Sequence, residues 1–252
     1  MVNDLDKIDS LSKLHESYSK LLPNHVGLIL DGNRRWIRRQ GIKDTLKGHQ
    51  EGYRTLRKIL DALFDVKIRY LSIYALSSEN VRKRSKKEVS YLFNLLLQSV
   101  EEVIQDTRIH ENQVQVKIIG RIKELPENIQ KEIQKVNDIT EKYHNYFINV
   151  CINYDGQEEI IDAVKNIITL GLTPENITKE TIKQNLYTKE FPELDYLIRT
   201  GMEDGARISG FLLWDASYSE FRFRKELWPD YNEEMLLEDL KEYIKRNRRK
   251  GA

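Results

Sequence analysis

Asp31 is followed by Gly32 and Asn33, then by Arg34, Arg35, Trp36, Arg38 and Arg39. Glycine lets a backbone approach a phosphate, and arginine forks pair with phosphate oxygens. A carboxylate beside such a site is costly unless a cation bridges it to the phosphate, which Mg²⁺ does with one or two carboxylates plus substrate phosphates. The pattern therefore suggests a magnesium diphosphate site with Asp31 as ligand; a turn leading into a solvated arginine-rich helix is the competing account. Arg199, Arg207 and Ser209 make a second phosphate-suited group, with Glu220 downstream as a further carboxylate; surface ion pairs, worth little, would explain the same residues. Arg82 and Arg84 follow Ser77-Ser78-Glu79-Asn80 and add cationic capacity. Asn80 can hydrogen-bond a substrate, but a carboxamide is a poor base. His49 either donates to phosphate or caps a helix, and Cys151, in an apolar run, reads as core packing.

These residues need elements to place them. Strand-like runs occur at 25–31, 70–76, 113–120, 147–154, 194–199 and 219–223, and helical patterns at 49–64, 86–109, 126–143, 157–170 and 232–246. Strands separated by helices imply right-handed crossovers and a largely parallel sheet. In an open α/β sheet ligands sit beyond the carboxyl ends of the strands, and most of the residues above fall there. The expectation is one α/β domain over 1–252, with an N-terminal helical extension (1–22) and a basic tail (247–252). The 86–109 helix is apolar on more than one stripe, as a central packed helix or the wall of an apolar channel would be.

The 252 residues suffice for a buried core, and 41 Lys+Arg against 40 Asp+Glu leave a formal charge of +1. Near-neutrality argues against a nucleic-acid partner, which usually meets a basic surplus. A single cysteine excludes an internal disulfide and a cysteine-cluster metal site. The first twenty residues lack the apolar run of a signal peptide, and no run is long enough to span a bilayer. A cytoplasmic enzyme is expected, with any membrane contact peripheral.

Five ordered blocks carry a family resemblance: HVGLILDGNRRW, GHQEGYRTL, YLSIYALSSENVRKR, NYDGQEEIIDAV, and DYLIRTGMEDGARISGFLLWDASYSEFRF followed by ELWPDY. Together they closely resemble the cis-prenyltransferases, the undecaprenyl diphosphate synthase family, over nearly the whole chain. The resemblance implies a six-stranded mostly parallel sheet flanked by helices, a hydrophobic tunnel, a homodimer and a requirement for Mg²⁺. It implies condensation of isopentenyl diphosphate onto an allylic diphosphate, farnesyl or geranylgeranyl, giving a long Z-polyprenyl diphosphate that serves as a glycosyl carrier lipid. Asp31 then resembles the aspartate engaging magnesium and the allylic diphosphate, Gly32 to Trp36 its substrate loop, and His49 the histidine of the GH motif. Ser77 to Asn80 resemble the SSEN block, whose asparagine is assigned a part in proton removal, with Arg82 and Arg84 beside it. Arg199, Arg207 and Ser209 resemble the isopentenyl diphosphate clamp, and Glu220 the second magnesium carboxylate, contributed across the dimer. The tail Arg249-Lys250-Gly251 resembles an element that reaches a neighbouring subunit.

The sequence also departs from the family pattern. Val81 replaces an aromatic, Arg34 a widespread glycine and Ala206 a usual histidine; Gly210 and Asp215 stand where SNFLLWQ is common, and only Lys43 or Lys47 could substitute for an arginine before the GH pair. The alternative of a non-catalytic accessory subunit is disfavoured because such relatives lose the aspartate and the clamp. A phosphohydrolase using Asp31 as nucleophile would want an acid at position 33, where Asn33 stands.

Overall fold

The structure is a computed structural model describing residues 4–246. The strands are β1 (His25–Ile29), β2 (Tyr70–Ser77), β3 (Val114–Ile119), β4 (Tyr146–Tyr154), β5 (Tyr196–Arg199) and β6 (Glu220–Phe223). The helices are α1 (Leu11–Tyr18), α2 (Asn33–Arg39), α3 (Thr45–Asp65), α4 (Ser78–Lys83), α5 (Lys86–Gln105), α6 (Thr107–Glu111), α7 (Glu127–Thr140), α8 (Gly156–Thr169), α9 (Lys179–Lys183) and α10 (Glu233–Lys245). The strands form one six-stranded sheet in the order β3-β4-β2-β1-β5-β6. The β1–β5, β5–β6 and β3–β4 pairs are parallel. All five residues of β1 and all four of β5 are buried, which is why both read as continuous apolar runs rather than alternating ones.

Helix starts are encoded locally. The side chains of Ser10, Asp44, Ser77, Ser85, Asp106, Asp155 and Asn232 each accept a hydrogen bond from a backbone N–H of the helix that follows, satisfying groups a helix terminus leaves orphaned. Asp44 accounts for one difference from the sequence reading. Helix α3 begins at Thr45, not His49, because the cap outweighs the helix-weakening Gly48. Asp106 accounts for another: the pattern over 86–109 is two helices, broken where Asp106 adopts an extended backbone and caps α6.

The chain clusters into two compact units. The first comprises the described residues of 1–71, 195–207 and 220–252. Its core includes Leu11, Leu28, Ile59, Leu197, Trp228, Leu240 and Tyr243, each at most 1% exposed. The second comprises 72–194 and 208–219. It buries Ile73, Val116, Ile133, Cys151, Tyr154, Ala163 and Phe211, with Phe211 stacked on Tyr74 at 4.8 Å between ring centroids. On α5 only Leu96 and Val100 are fully buried among its apolar residues, while Leu92, Phe93, Leu95 and Leu97 are half-buried. The basic tail, including Arg249-Lys250-Gly251, lies outside the described residues.

Candidate active site

In the first unit, β1 ends at Ile29, and Asp31 follows in a tight turn, its N–H donating to the Ile29 carbonyl at 3.0 Å. Gly32 then takes a left-handed conformation (φ 118°) as N-cap of α2. A β-carbon there would lie 2.9 Å from the Leu227 backbone, so both the dihedral and the space call for glycine. Beside it, β5 pairs with β1 so that Arg199 stands level with Ile29.

That register creates a charged cluster at the carboxyl ends of the two strands. Arg199 Nη2 donates to Asp31 Oδ2 at 2.9 Å, and Arg35 Nη2 lies 3.3 Å from Oδ1. Asp31 remains 35% exposed while the Arg199 side chain is only 7% exposed. The Asp31 carbonyl accepts from Thr200 Oγ1 (2.8 Å) and the Trp228 N–H (3.0 Å). Arg35 also donates to the Gly201 carbonyl at 2.6 Å, and Arg199 Nη1 to the Arg207 carbonyl at 2.9 Å. Gly201 sits at φ 69°, with Arg35 and the Asp31 carbonyl where a side chain would go. A part-exposed carboxylate flanked by two guanidiniums and main-chain turns is a setting suited to a polyanion.

Other expected residues are placed as follows. Trp36 donates through Nε1 to Asp230 at 2.5 Å, and Arg34 and the Arg207 side chain are exposed. Asn33 caps the approach of α3, whose Gly48 and Gly52 lie against it. His49 is buried within α3. Glu220 is not brought to Asp31. It opens β6 three residues before Phe223, the residue level with Arg199, roughly 10 Å back along the strand and two strands from β1. There it pairs with Arg246 at 2.9 Å.

In the second unit, Ser77 ends β2 and its hydroxyl accepts from the Asn80 N–H at 3.1 Å, turning the chain into α4. Ser78 is 1% exposed. Glu79 pairs with Lys83 on the surface (2.5 Å), Arg82 with Glu158 (2.9 Å) and Arg84 with Glu88 (3.2 Å). Ser209 has φ 50°, and its carbonyl accepts from the Tyr74 hydroxyl at 3.2 Å.

Among the described residues, no group of three or more His, Cys, Asp or Glu side chains could hold a metal. The donor set at Asp31, one accessible carboxylate among phosphate-suited arginines, fits instead a magnesium ion held jointly by a carboxylate and substrate phosphates. In sequence Thr200 reads only as part of the strand end after Arg199, and nothing singles out Asp230. Both lie inside recognised blocks, but which partner each takes depends on strand register and loop placement.

In an open α/β sheet ligands bind beyond the carboxyl ends of the strands, and the arginine-bound aspartate there is suited to a phosphorylated ligand. The undecaprenyl diphosphate synthase family matches residues 29–251, and the chain belongs to that family of prenyl-transferring enzymes. It is 41% identical over 234 residues to a Thermococcus kodakarensis protein named tritrans,polycis-undecaprenyl-diphosphate synthase (geranylgeranyl-diphosphate specific), covering 91% of this chain and 87% of that one. It is 39% identical over 238 residues to an isoprenyl transferase of Thermus thermophilus, covering 91% and 89%. The crystal structure of lavandulyl diphosphate synthase from Lavandula x intermedia, in complex with dimethylallyl diphosphate, superposes with a TM-score of 0.85 at 31% identity, covering 92% of this chain and 100% of that one. The α/β architecture with its six-stranded sheet flanked by helices is thus the family's fold.

Proposed function

We propose that the protein condenses isopentenyl diphosphate onto an allylic diphosphate primer, farnesyl or geranylgeranyl, in repeated cycles that each add a Z double bond and release diphosphate. The Asp31–Arg199–Arg35 cluster carries this reading, because a family chain that keeps a carboxylate fixed by two guanidiniums at its strand ends keeps the means to bind diphosphate. Magnesium, when bound with the substrate, neutralises diphosphate and stabilises it as a leaving group.

In this reading Asp31 presents its carboxylate toward the allylic diphosphate, and the Gly32–Trp36 segment surrounds that group. Arg199, Arg207 and Ser209 hold the diphosphate of the second substrate, so that two fixed diphosphates bring the reacting carbons together. Asn80 hydrogen-bonds the proton-losing side of the reaction. The growing chain gains about 0.8 kcal/mol per buried methylene, and the half-buried apolar residues of α5 offer it a wall. A homodimer is the working unit. The distance between Asp31 and Glu220 within one chain supports this, since a shared ion would need Glu220 from a second copy. Product release to a membrane surface makes peripheral contact part of the proposal.

The deciding experiment incubates the protein with magnesium, labelled isopentenyl diphosphate and each primer in turn, and sizes the products. A Z-polyprenyl ladder from one primer is expected. No elongation from any primer would turn the reading to an accessory subunit.

A further inference from the structure

A strip of five residues, 224–228, makes main-chain hydrogen bonds to both strand ends of the charged cluster. The Arg224 N–H donates to the Arg199 carbonyl (2.8 Å), and the Met202 N–H donates to the Arg224 carbonyl (2.7 Å). The Gly201 N–H donates to the Glu226 carbonyl (2.7 Å), and the Trp228 N–H to that of Asp31 (3.0 Å). Wherever this strip sits, the backbones of Arg199 and Asp31 follow.

What holds the strip lies on its other side. The Arg224 side chain is 7% exposed. Its Nε donates to both carboxylate oxygens of Asp239 (2.8 and 2.9 Å), and its Nη2 to the Met235 carbonyl and Glu238 (both 2.9 Å). Asp239, on α10, is completely buried. It also accepts from Arg222 Nε (2.7 Å) and the Tyr231 hydroxyl (2.9 Å). A buried carboxylate with this many donors is costly to disturb on one side alone.

We propose that Asp239 is a positioning residue for the diphosphate site. It touches no reacting group, and acts through Arg224, fixing the strip that sets the separation and aim of Asp31 and Arg199. The inference rests on the diphosphate-binding reading above. Arg222 supplies the internal control. It binds the same Asp239 oxygen, but its own backbone lies in β6 beside Ile198, before the strip begins. Stability alone should respond to both arginines, whereas site geometry should respond to only one.

The test measures binding of inorganic pyrophosphate with magnesium by calorimetry on the full chain, alongside thermal melting and the KM and kcat of elongation. Asp239→Asn replaces a charged acceptor with a carboxamide that turns a donor toward a guanidinium. It should weaken pyrophosphate about tenfold, on the scale expected when a site shifts by a fraction of an ångström, and raise KM for isopentenyl diphosphate more than it lowers kcat. Arg222→Gln should lower the melting temperature comparably and leave pyrophosphate affinity within about twofold. If Asp239→Asn does not fold, Arg224→Lys, which keeps the charge but loses the fork, carries the same expectation. Equal loss of affinity in the Arg222 and Asp239 (or Arg224) variants, or unchanged affinity in the latter, overturns the proposal. A wild-type protein that elongates but whose brace variants bind normally sinks this inference alone; a wild-type protein that binds no pyrophosphate sinks the functional reading with it.

Discussion

Asp31 and Glu159 are carboxylates at comparable places, each just after a strand end or in the first turn of the helix beyond it, yet they are built for opposite ends. Asp31 is 35% exposed and meets two guanidiniums. Glu159 is 1% exposed and accepts from neutral donors: the Tyr154 hydroxyl, and the Thr188 N–H and hydroxyl at 3.2 and 3.4 Å. Asp215, whose charge reaches Glu159, is itself paired with Lys183 at 2.6 Å. Burial pushes Glu159 up to about 7, with the Asp215 charge adding to it. The cations around Asp31 can be shared with an incoming anion, whereas the hydroxyls around Glu159 are uncharged and already donate to a buried carboxylate. On the proposed reading the first arrangement binds substrate and the second supports the fold, so the two should fail in different assays.

The largest effect should come from Asp31→Ala. Loss of a group acting on the developing charge typically costs about 10²–10³ or more in turnover, and the variant should still melt cooperatively. Near-normal elongation by the folded variant would erase the distinction. Next, Arg199→Ala should raise the KM for isopentenyl diphosphate by well over about tenfold, a charge-assisted contact being worth about 1.5–3 kcal/mol, and much more than it raises that for the primer. Equal shifts in both constants would argue against separate diphosphate sites.

Glu159→Gln should leave both constants alone and change only how stability depends on pH. The folded state holds the Glu159 proton more tightly than the unfolded chain, where the value is near 4.5. Its stabilising contribution is therefore complete below about pH 4.5 and is lost as pH rises through about 7, on the order of 3 kcal/mol in all. Denaturant titrations between pH 5 and 8 should show wild-type stability falling as pH rises through about 7 while that of the variant falls less, if the glutamate causes the decline. Parallel curves would show that it does not. The smallest effect belongs to Glu203→Gln, which breaks the exposed Arg39–Glu203 pair at 2.6 Å. A shift under about 0.5 kcal/mol is expected for such a pair, and a larger one would mean the loop after Arg199 is held from outside.

Much of this was readable from the sequence. Asp31, Arg199 and the SSEN turn announced themselves because strand ends are local: an apolar run stops and polar residues begin. The alternation of elements was equally plain, and the sheet is parallel wherever its register is described. What escaped reading depends on register or on distance in the chain. The run at 219–223 already puts Glu220 at the start of its strand, but does not say which residues of the neighbouring strand stand level with it. Arg224 and Asp239 are separated by a turn and half a helix, and neither matches a motif. Lys183 and Asp215 meet across 32 residues, so Asp215 read only as a departure from a familiar glutamine. The break at Asp106 did leave a local sign, an aspartate able to cap, but the apolar stripe running past it was the stronger pattern.

Gly48 and Gly52 lie one turn apart on α3, and a methyl group on either would come within 2.3 Å of the Asn33 carbonyl or 2.2 Å of its side-chain oxygen. In a saturation screen scored by growth, both positions would look as intolerant as Asp31. Scored by cellular abundance they would separate from it, because their substitutions wedge α2 away from α3 and deplete folded protein, whereas Asp31 variants accumulate and do nothing. The GH pair in the sequence would then divide between its members, the glycine belonging to the architecture and the histidine left to be judged by its own substitutions.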